Sequence, residues 1–246
     1  MYLNTRGLVL RVTDYNDRDA LLTLLTPNYG KLTVKARGLR RKNSPLTAPC
    51  QLLAYGEFTL FEYKGMSTVN EAASIELFRP LRSDLTKLSL GTYFAQVAEV
   101  ISQEDLPNPE LLSLVLNCLH GLCSLNLSEM QIKAVFELRA ACIAGYQPDL
   151  SGCHHCGNEQ PERFDISQGR LECSPCRDSS GGIRMPMQPG TLDALRYVCM
   201  CDPKRIFSFR TGETELRQLA DLAEAYLTAQ LERGFSTLDF YKSLLI

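Results

Sequence analysis

Long apolar runs are missing from this sequence: nowhere in its 246 residues do 18 apolar residues follow one another. That excludes a transmembrane helix of ordinary length. The opening segment MYLNTRGLVLRVTDYND has an apolar run too short for a signal peptide and meets acidic residues at once. The expected location is therefore the cytoplasm. Histidine is scarce, at three residues, so general acid–base chemistry would fall to carboxylates, and no carboxylate pair stands out. G-x-x-x-x-G-K-[ST], a G-x-G-x-x-G after a strand, H-E-x-x-H and G-x-S-x-G are all absent. Pro175–Cys176 only approaches a deaminase P-C-x-x-C, because no H-x-E accompanies it and the cysteine order is wrong. These absences favour a binding protein over an enzyme.

Acidic residues are missing between Asp19 and Glu57, a window that holds Lys31, Lys35, Arg37, Arg40, Arg41 and Lys42. The formal net charge of the chain is only −2. Residues 1–80 carry 11 Lys/Arg against 7 Asp/Glu, whereas residues 81–150 carry 4 against 8. Unopposed cations at close spacing repel one another until a polyanion neutralises them. Nucleic acid is the commonest such polyanion. A solvated basic loop without a partner is the plainer alternative.

Alternation in the first 75 or so residues predicts short strands. In GLVLRV (7–12), Leu8, Leu10 and Val12 fall on one side, Val9 and Arg11 on the other. DYND (14–17) then breaks the strand, ALLTLLT (20–26) follows, and PNYG (27–30) supplies a turn. In KLTVKAR (31–37), Leu32, Val34 and Ala36 face one way and Lys31, Thr33, Lys35 and Arg37 the other. This parity predicts three cations in a row on an exposed face, about 7 Å apart. FTLFEY (58–63) and STVNEAASIE (67–76) give two more strands around a Lys64–Gly65 turn. Five short strands fit a small closed barrel or a sandwich, and five-stranded Greek-key barrels often bind single-stranded nucleic acid.

From about residue 80 the period becomes helical. Leu90, Phe94, Val97 and Ile101 line one face. Asn108 and Pro109 open the next helix as N-cap and first position, with Leu112, Val115, Leu119 and Leu122 as its stripe. Ser128 and Gln131 form a capping box ahead of Ile132, Val135, Phe136 and Ile143. Leu216, Ala220, Ala223, Leu227 and Leu231 make a late stripe. All read as the core of a helical bundle.

Cysteine is not scarce: there are ten. With no sign of an oxidising compartment, metal ligation or burial explains them better than disulfides. Cys153–x₂–Cys156 and Cys173–x₂–Cys176 are separated by 16 residues, the spacing of a four-thiolate zinc site. Four thiolates leave no open position, so one structural Zn²⁺ per chain is expected, folding an insertion too small to hold a core of its own. His154 and His155 are then supernumerary. Cys50, Cys118, Cys123 and Cys142 read as core, and Cys199 and Cys201 as structural.

The N-terminal stretch GLVLRVTDYNDRDALLTLLTPNYGKLTVKARGLRR resembles the bacterial RecO recombination-mediator family. Its markers are the apolar strand, the DYND-D turn, LTP-YGK, and the segment in which Ala36, Gly38, Arg41 and Ser44 fall in place. FEYKGMSTVNEA is similar to that family's last barrel strands. Some members lack the four cysteines; this sequence keeps them. The resemblance implies an α+β, multidomain chain. An OB-type barrel would occupy residues 1–80 and a helical domain 81–246, with a zinc finger inserted at about 150–184. It also implies a non-catalytic, nucleoid-associated protein that binds single- and double-stranded DNA and anneals complementary strands. With RecR it would help RecA replace the single-stranded DNA-binding protein. Lys31, Lys35, Arg37, Arg40, Arg41 and Lys42 would then contact phosphates, with Arg11 and Arg18 extending the patch. Tyr15 and Tyr29 read as turn and rim residues, base stacking being the lesser alternative. A zinc-containing RNA-binding factor or protein-interaction scaffold is the competing reading.

Overall fold

The computed structural model describes residues 1–176 and 182–245, so positions 177–181 of the expected zinc-finger insertion lie outside the described residues. By packing, the chain forms two units, Met1–Leu125 with Phe235–Ile246, and Asn126–Gly234.

In the first unit, strands β1 (Tyr2–Asp14), β2 (Ala20–Thr26), β3 (Gly30–Ala36), β4 (Tyr55–Tyr63) and β5 (Met66–Glu76) close a barrel in the order β1-β2-β3-β5-β4. Closure comes from β3 and β5, which pair in parallel at Val34↔Ser67 and Lys35↔Thr68. Val9, Leu22, Leu24, Val34, Phe58, Leu60 and Val69 fill the interior. The loop between β3 and β4 adds Leu46, Cys50 and Ala54 to the same core. Burial pushes the Cys50 thiol up to about 12, so this cysteine is a small hydrophobe and a poor nucleophile. Lys64 and Gly65 turn β4 into β5 with φ of 51° and 75°, the paired positive values of a tight hairpin.

The expected parity of β1 is corrected by a β-bulge. Val9 pairs with Leu24 and Arg11 with Thr23, so Leu10 is the extra residue. Past the bulge the faces exchange, and Val12 opposes the core residue Leu22 while Leu8 opposes Leu25 outside the core cluster. The bulged strand is held by the incoming loop: Val9 donates to Ala54 O (2.9 Å) and accepts from Leu53 N (2.9 Å). Leu8 and Leu25 are fully buried. They face the side on which helices α2 (Leu85–Ile101) and α3 (Pro109–Ser124) pack onto β1 and β2; the four-residue α1 (Arg79–Arg82) precedes them. Burial on both faces explains the unbroken apolar runs of these strands.

Gly30 begins β3 at a point of close approach. Its φ is +62°, and a Cβ there would stand 2.6 Å from the backbone oxygen of Gln103. Lys31 N–H donates to that same oxygen (2.9 Å), so the contact cannot open without losing a hydrogen bond. Gly30→Ala is expected to cost about 2–3 kcal/mol through strain and backbone collision. Thermal unfolding measures this; an unchanged Tm would mean that the 102–106 segment does not hold the barrel.

The second unit contains α4 (Glu129–Ile143), a four-stranded sheet of β6 (Asp149–Cys153), β7 (Arg163–Asp165), β8 (Arg170–Glu172) and β9 (Arg184–Pro186), then α5 (Pro189–Met200) and α6 (Glu213–Gln230). Helices α4 and α6 pack together. Buried Lys133 ties them by contacting Glu137 (2.9 Å) and Glu224 (2.8 Å). The sheet order is β6-β8-β7-β9, and Phe164 of β7 meets Tyr226 of α6 edge-on at 5.3 Å. A last helix, α7 (Ser236–Ser243), belongs to the first unit. Neither α5 nor α7 was expected from the sequence, although α5 carries Leu192, Leu195 and Val198 on one buried face.

Candidate nucleic-acid interface and metal centre

The acid-free window of the sequence is not acid-free in space. Asp19 turns back from the β1–β2 turn onto the exit of β3. It accepts from Gly38 N–H (2.8 Å), Asn16 Nδ2 (3.1 Å) and the Lys35 ammonium (3.0 Å). The Gly38 amide first, then Lys35 and Asn16, hold its carboxyl well below the usual carboxylate range. Lys35 is thus neutralised and only 19% exposed, and it lies over the Tyr15 ring at 4.5 Å. Arg40 is tied to Asp14 Oδ2 and to the Asn16 carbonyl, both at 3.2 Å. Arg11, on the outer face after the bulge, meets Glu99 of α2 at 2.9 Å. The Lys31 ammonium donates to the Glu99 carbonyl (3.1 Å). The expected row of three free cations along β3 is therefore corrected: pairing across the sheet and to α2 consumes two of them.

What stays open is the loop after β3 and its neighbour. Among the described residues, no ion pair engages Arg18, Arg37, Arg41 or Lys42, and all four are exposed. Arg40 N–H donates to Arg18 O (3.1 Å), which bolts the β1–β2 turn to this loop and draws Arg18 to the same rim. Tyr29 is a turn residue, its N–H bonded to Thr26 Oγ1 at 3.1 Å.

In the second unit the four cysteines of the two C-x₂-C pairs converge. The sulfurs of Cys153, Cys156, Cys173 and Cys176 all lie within 4.8 Å of one another. Cys156 and Cys173 sulfurs are 3.9 Å apart, close to the ~3.8 Å edge of a tetrahedron with ~2.3 Å metal–sulfur bonds. The first pair sits where β6 ends and the second just beyond β8, which brings two turns of distant sequence face to face. Gly157, at φ +74°, lets the first turn close, with Gly157 N–H donating to Cys153 O (2.8 Å). Donors reach the sulfurs, among them Cys173 N–H to Cys153 Sγ (3.3 Å) and Asn158 Nδ2 to Cys173 Sγ (3.1 Å). Burial disfavours the Cys153 thiolate, but the amides of Cys156, Cys173 and His155 outweigh it and bring the thiol to about 6. Cys176 is pushed the other way, to about 12, chiefly by its hydrogen bond with Cys156. Four anions cannot share this space unless a cation joins them, so the donor set fits a metal ion. His155 instead faces buried Glu172 (3.8 Å).

A family model described as "Recombination protein O N terminal" matches residues 1–78, and one described as "Recombination protein O C terminal" matches residues 82–239. The chain belongs to the RecO family. The DNA repair protein RecO of Acetivibrio thermocellus is 34% identical over 245 residues, covering 99% of this chain and 97% of that protein. Those of Bacillus pumilus (30% over 225 residues; 90% and 87% covered) and Bacillus subtilis (29% over 226 residues; 90% and 88%) are similar as well. The RecO models divide the chain near residue 80, whereas packing places α2, α3 and α7 with the barrel. The RecO barrel also carries a feature that the charge count passed over. Tyr2, Phe61 and Tyr63 are exposed on its outer face, and strict alternation along FTLFEY, with Phe58 and Leu60 inward, was the signal that could have found the last two. No described helix is long and apolar enough to cross a membrane.

Proposed function

We propose that this RecO-family chain binds single- and double-stranded DNA at the barrel rim formed by Arg18, Arg37, Arg41 and Lys42. The observation that carries the proposal is that these four cations are exposed without ion pairs at the junction of two bonded loops. Contacts of this kind go to phosphates and carry no sequence information. Lys31, Lys35, Arg40 and Arg11 surround the rim but are held by protein partners, so they would contribute less to it than the four free cations. Neutralising two strands at once lowers their mutual repulsion, the physical basis of annealing. The family relationship supports a mediator role in the cytoplasm, in which the chain acts with RecR to help RecA replace the single-stranded DNA-binding protein. The four-cysteine centre would hold one structural Zn²⁺, whose closed sulfur shell leaves it no chemistry beyond folding.

The test is binding of single-stranded and duplex oligonucleotides across a salt series, followed by strand annealing. Sequence-independent binding that falls steeply with salt is expected. Protein that ignores both DNA forms in dilute buffer overturns the reading, and a preference for structured RNA at equal salt would favour the RNA-binding alternative.

Asp19 gives a sharper check. Its depressed carboxyl contributes stability above the ordinary unfolded value near ~4, and that contribution is lost as pH falls through the lower folded value. Asp19→Asn keeps an acceptor for Gly38 but releases the Lys35 charge. The single-strand salt dependence of the variant should steepen by about 0.7 log units, one added phosphate contact. An unchanged slope would place Lys35 away from the bound strand.

A further inference from the structure

We propose that the outer face of β1, β4 and β5 is a stacking surface for unpaired bases, built on Tyr2, Phe61 and Tyr63. The inference rests on the nucleic-acid reading above and adds the second half of the ligand. Cross-strand partners share a face, and Tyr2↔Phe61↔Thr68 run across β1, β4 and β5 in one row, with Tyr63↔Met66 in the next. That row continues through the parallel pair Thr68↔Lys35 onto β3, so it leads to the strand whose exit carries Arg37.

Tyr2 and Phe61 contact each other at 5.1 Å between ring centres. Tyr2 is 63% exposed and Tyr63 62%. The inward residues beside them, Leu3 and Leu60, pack in or against the barrel core, so these rings do little for it. A hollow of about 650 Å³ lies beside them, lined by Arg37, Phe61, Tyr63, Met66, Thr68 and Asn70. Arg37 is one of the free cations of the rim, and the Lys64 ammonium stands 5.4 Å from the Tyr63 ring centre. The opposite end of the same face is different. There Glu57 and Glu71 line a separate hollow in which Arg6 is already held by Glu57 at 3.2 Å. Aromatic rings and free cations thus share one end of the sheet, and carboxylates the other.

Rings flanked by cations suit a ligand that is both anionic and rich in exposed π faces, which is single-stranded nucleic acid. A duplex keeps its bases stacked inside and offers this surface nothing. The site therefore predicts a preference for single strands that is separate from the phosphate contacts at the rim.

The experiment compares an oligothymidylate of about twenty residues with an abasic phosphodiester chain of the same length, on wild type and on the Tyr2→Ala/Tyr63→Ala variant. Wild type should bind the thymidylate more tightly by on the order of tenfold or more, the effect of one or two stacked bases. The variant should lose that preference, keep its affinity for the abasic chain and for duplex, and keep its salt slope. Tyr63→Phe should restore most of the preference, which separates ring loss from misfolding. Because the chain has no tryptophan, tyrosine emission gives a second readout: thymidylate should quench wild type more than it quenches the double variant. A double variant that still prefers the thymidylate overturns the stacking surface alone. Wild type that binds neither polymer overturns the nucleic-acid reading together with it.

Discussion

Changing Cys153 and Cys173 together to serine should release the metal and unfold the four-stranded sheet, while the barrel keeps its fold. The expectation follows from size. Strands β7, β8 and β9 have three residues each, and the sheet's own fully buried apolar side chains are few, with Phe164 and Leu171 at 0% exposed. Structural zinc in small domains contributes ~10–16 kcal/mol of apparent binding free energy, which is folding free energy when no site pre-exists. That equals or exceeds the ~5–15 kcal/mol net stability of an ordinary domain. The two chosen cysteines come from opposite turns and are the buried members of the set, so their loss removes half the ligands and leaves no closed shell. Elemental analysis should find one zinc per chain in wild type and none in the variant. Calorimetry should show one transition weakened or missing and the other retained, since the barrel has its own core in the other packing unit. A metal-free variant that melts like wild type would sink the structural role.

Replacing Arg37, Arg41 and Lys42 together by alanine should flatten the dependence of log affinity on log salt by about two units for single-stranded DNA. Each phosphate neutralised contributes ~0.7 to the slope, and these three residues are exposed and unpaired among the described residues. Extrapolated from 1 M, two units correspond to on the order of a hundredfold loss of affinity at 0.1 M salt. Arg40 makes an informative contrast. It lies in the same run of sequence, but Asp14 and the Asn16 carbonyl already hold it, so Arg40→Ala alone should change the slope little and should loosen the β1–β2 turn instead. If the triple variant keeps the wild-type slope, the rim is not where phosphate is bound.

The contrast shows what the sequence displayed and what it hid. Strand alternation outside β1, the Lys64–Gly65 turn, the Asn108 and Ser128 caps and the cysteine spacing are local signals, and each reappears in the structure: Leu111 N–H donates to Asn108 Oδ1 (3.0 Å) and Gln131 N–H to Ser128 Oγ (3.2 Å). Charge pairing is not local. Asp19 lies sixteen positions before Lys35, and Asp14 lies 26 before Arg40, so a window of sequence counted as unopposed the cations that folding opposes. The bulge at Leu10 is equally silent, because the Leu53–Ala54 segment that bonds the strand beside it arrives from more than forty residues away. Helix α5 was missed although Leu192, Leu195, Val198 and Cys199 repeat at helical spacing, and α7 because eight residues span barely two turns.

Helix α7 has one more consequence. It returns from the end of the chain to the first unit, where Phe235 meets Tyr93 edge-on at 5.6 Å and Thr237 Oγ1 donates to Gln96 Oε1 (2.5 Å). During synthesis, the unit that holds the barrel stays unfinished until residues 236–243 have emerged, after the whole of the other unit. Completion of the barrel's unit is thereby coupled to synthesis of the intervening one, and loss of α7 would leave α2 with an uncovered flank.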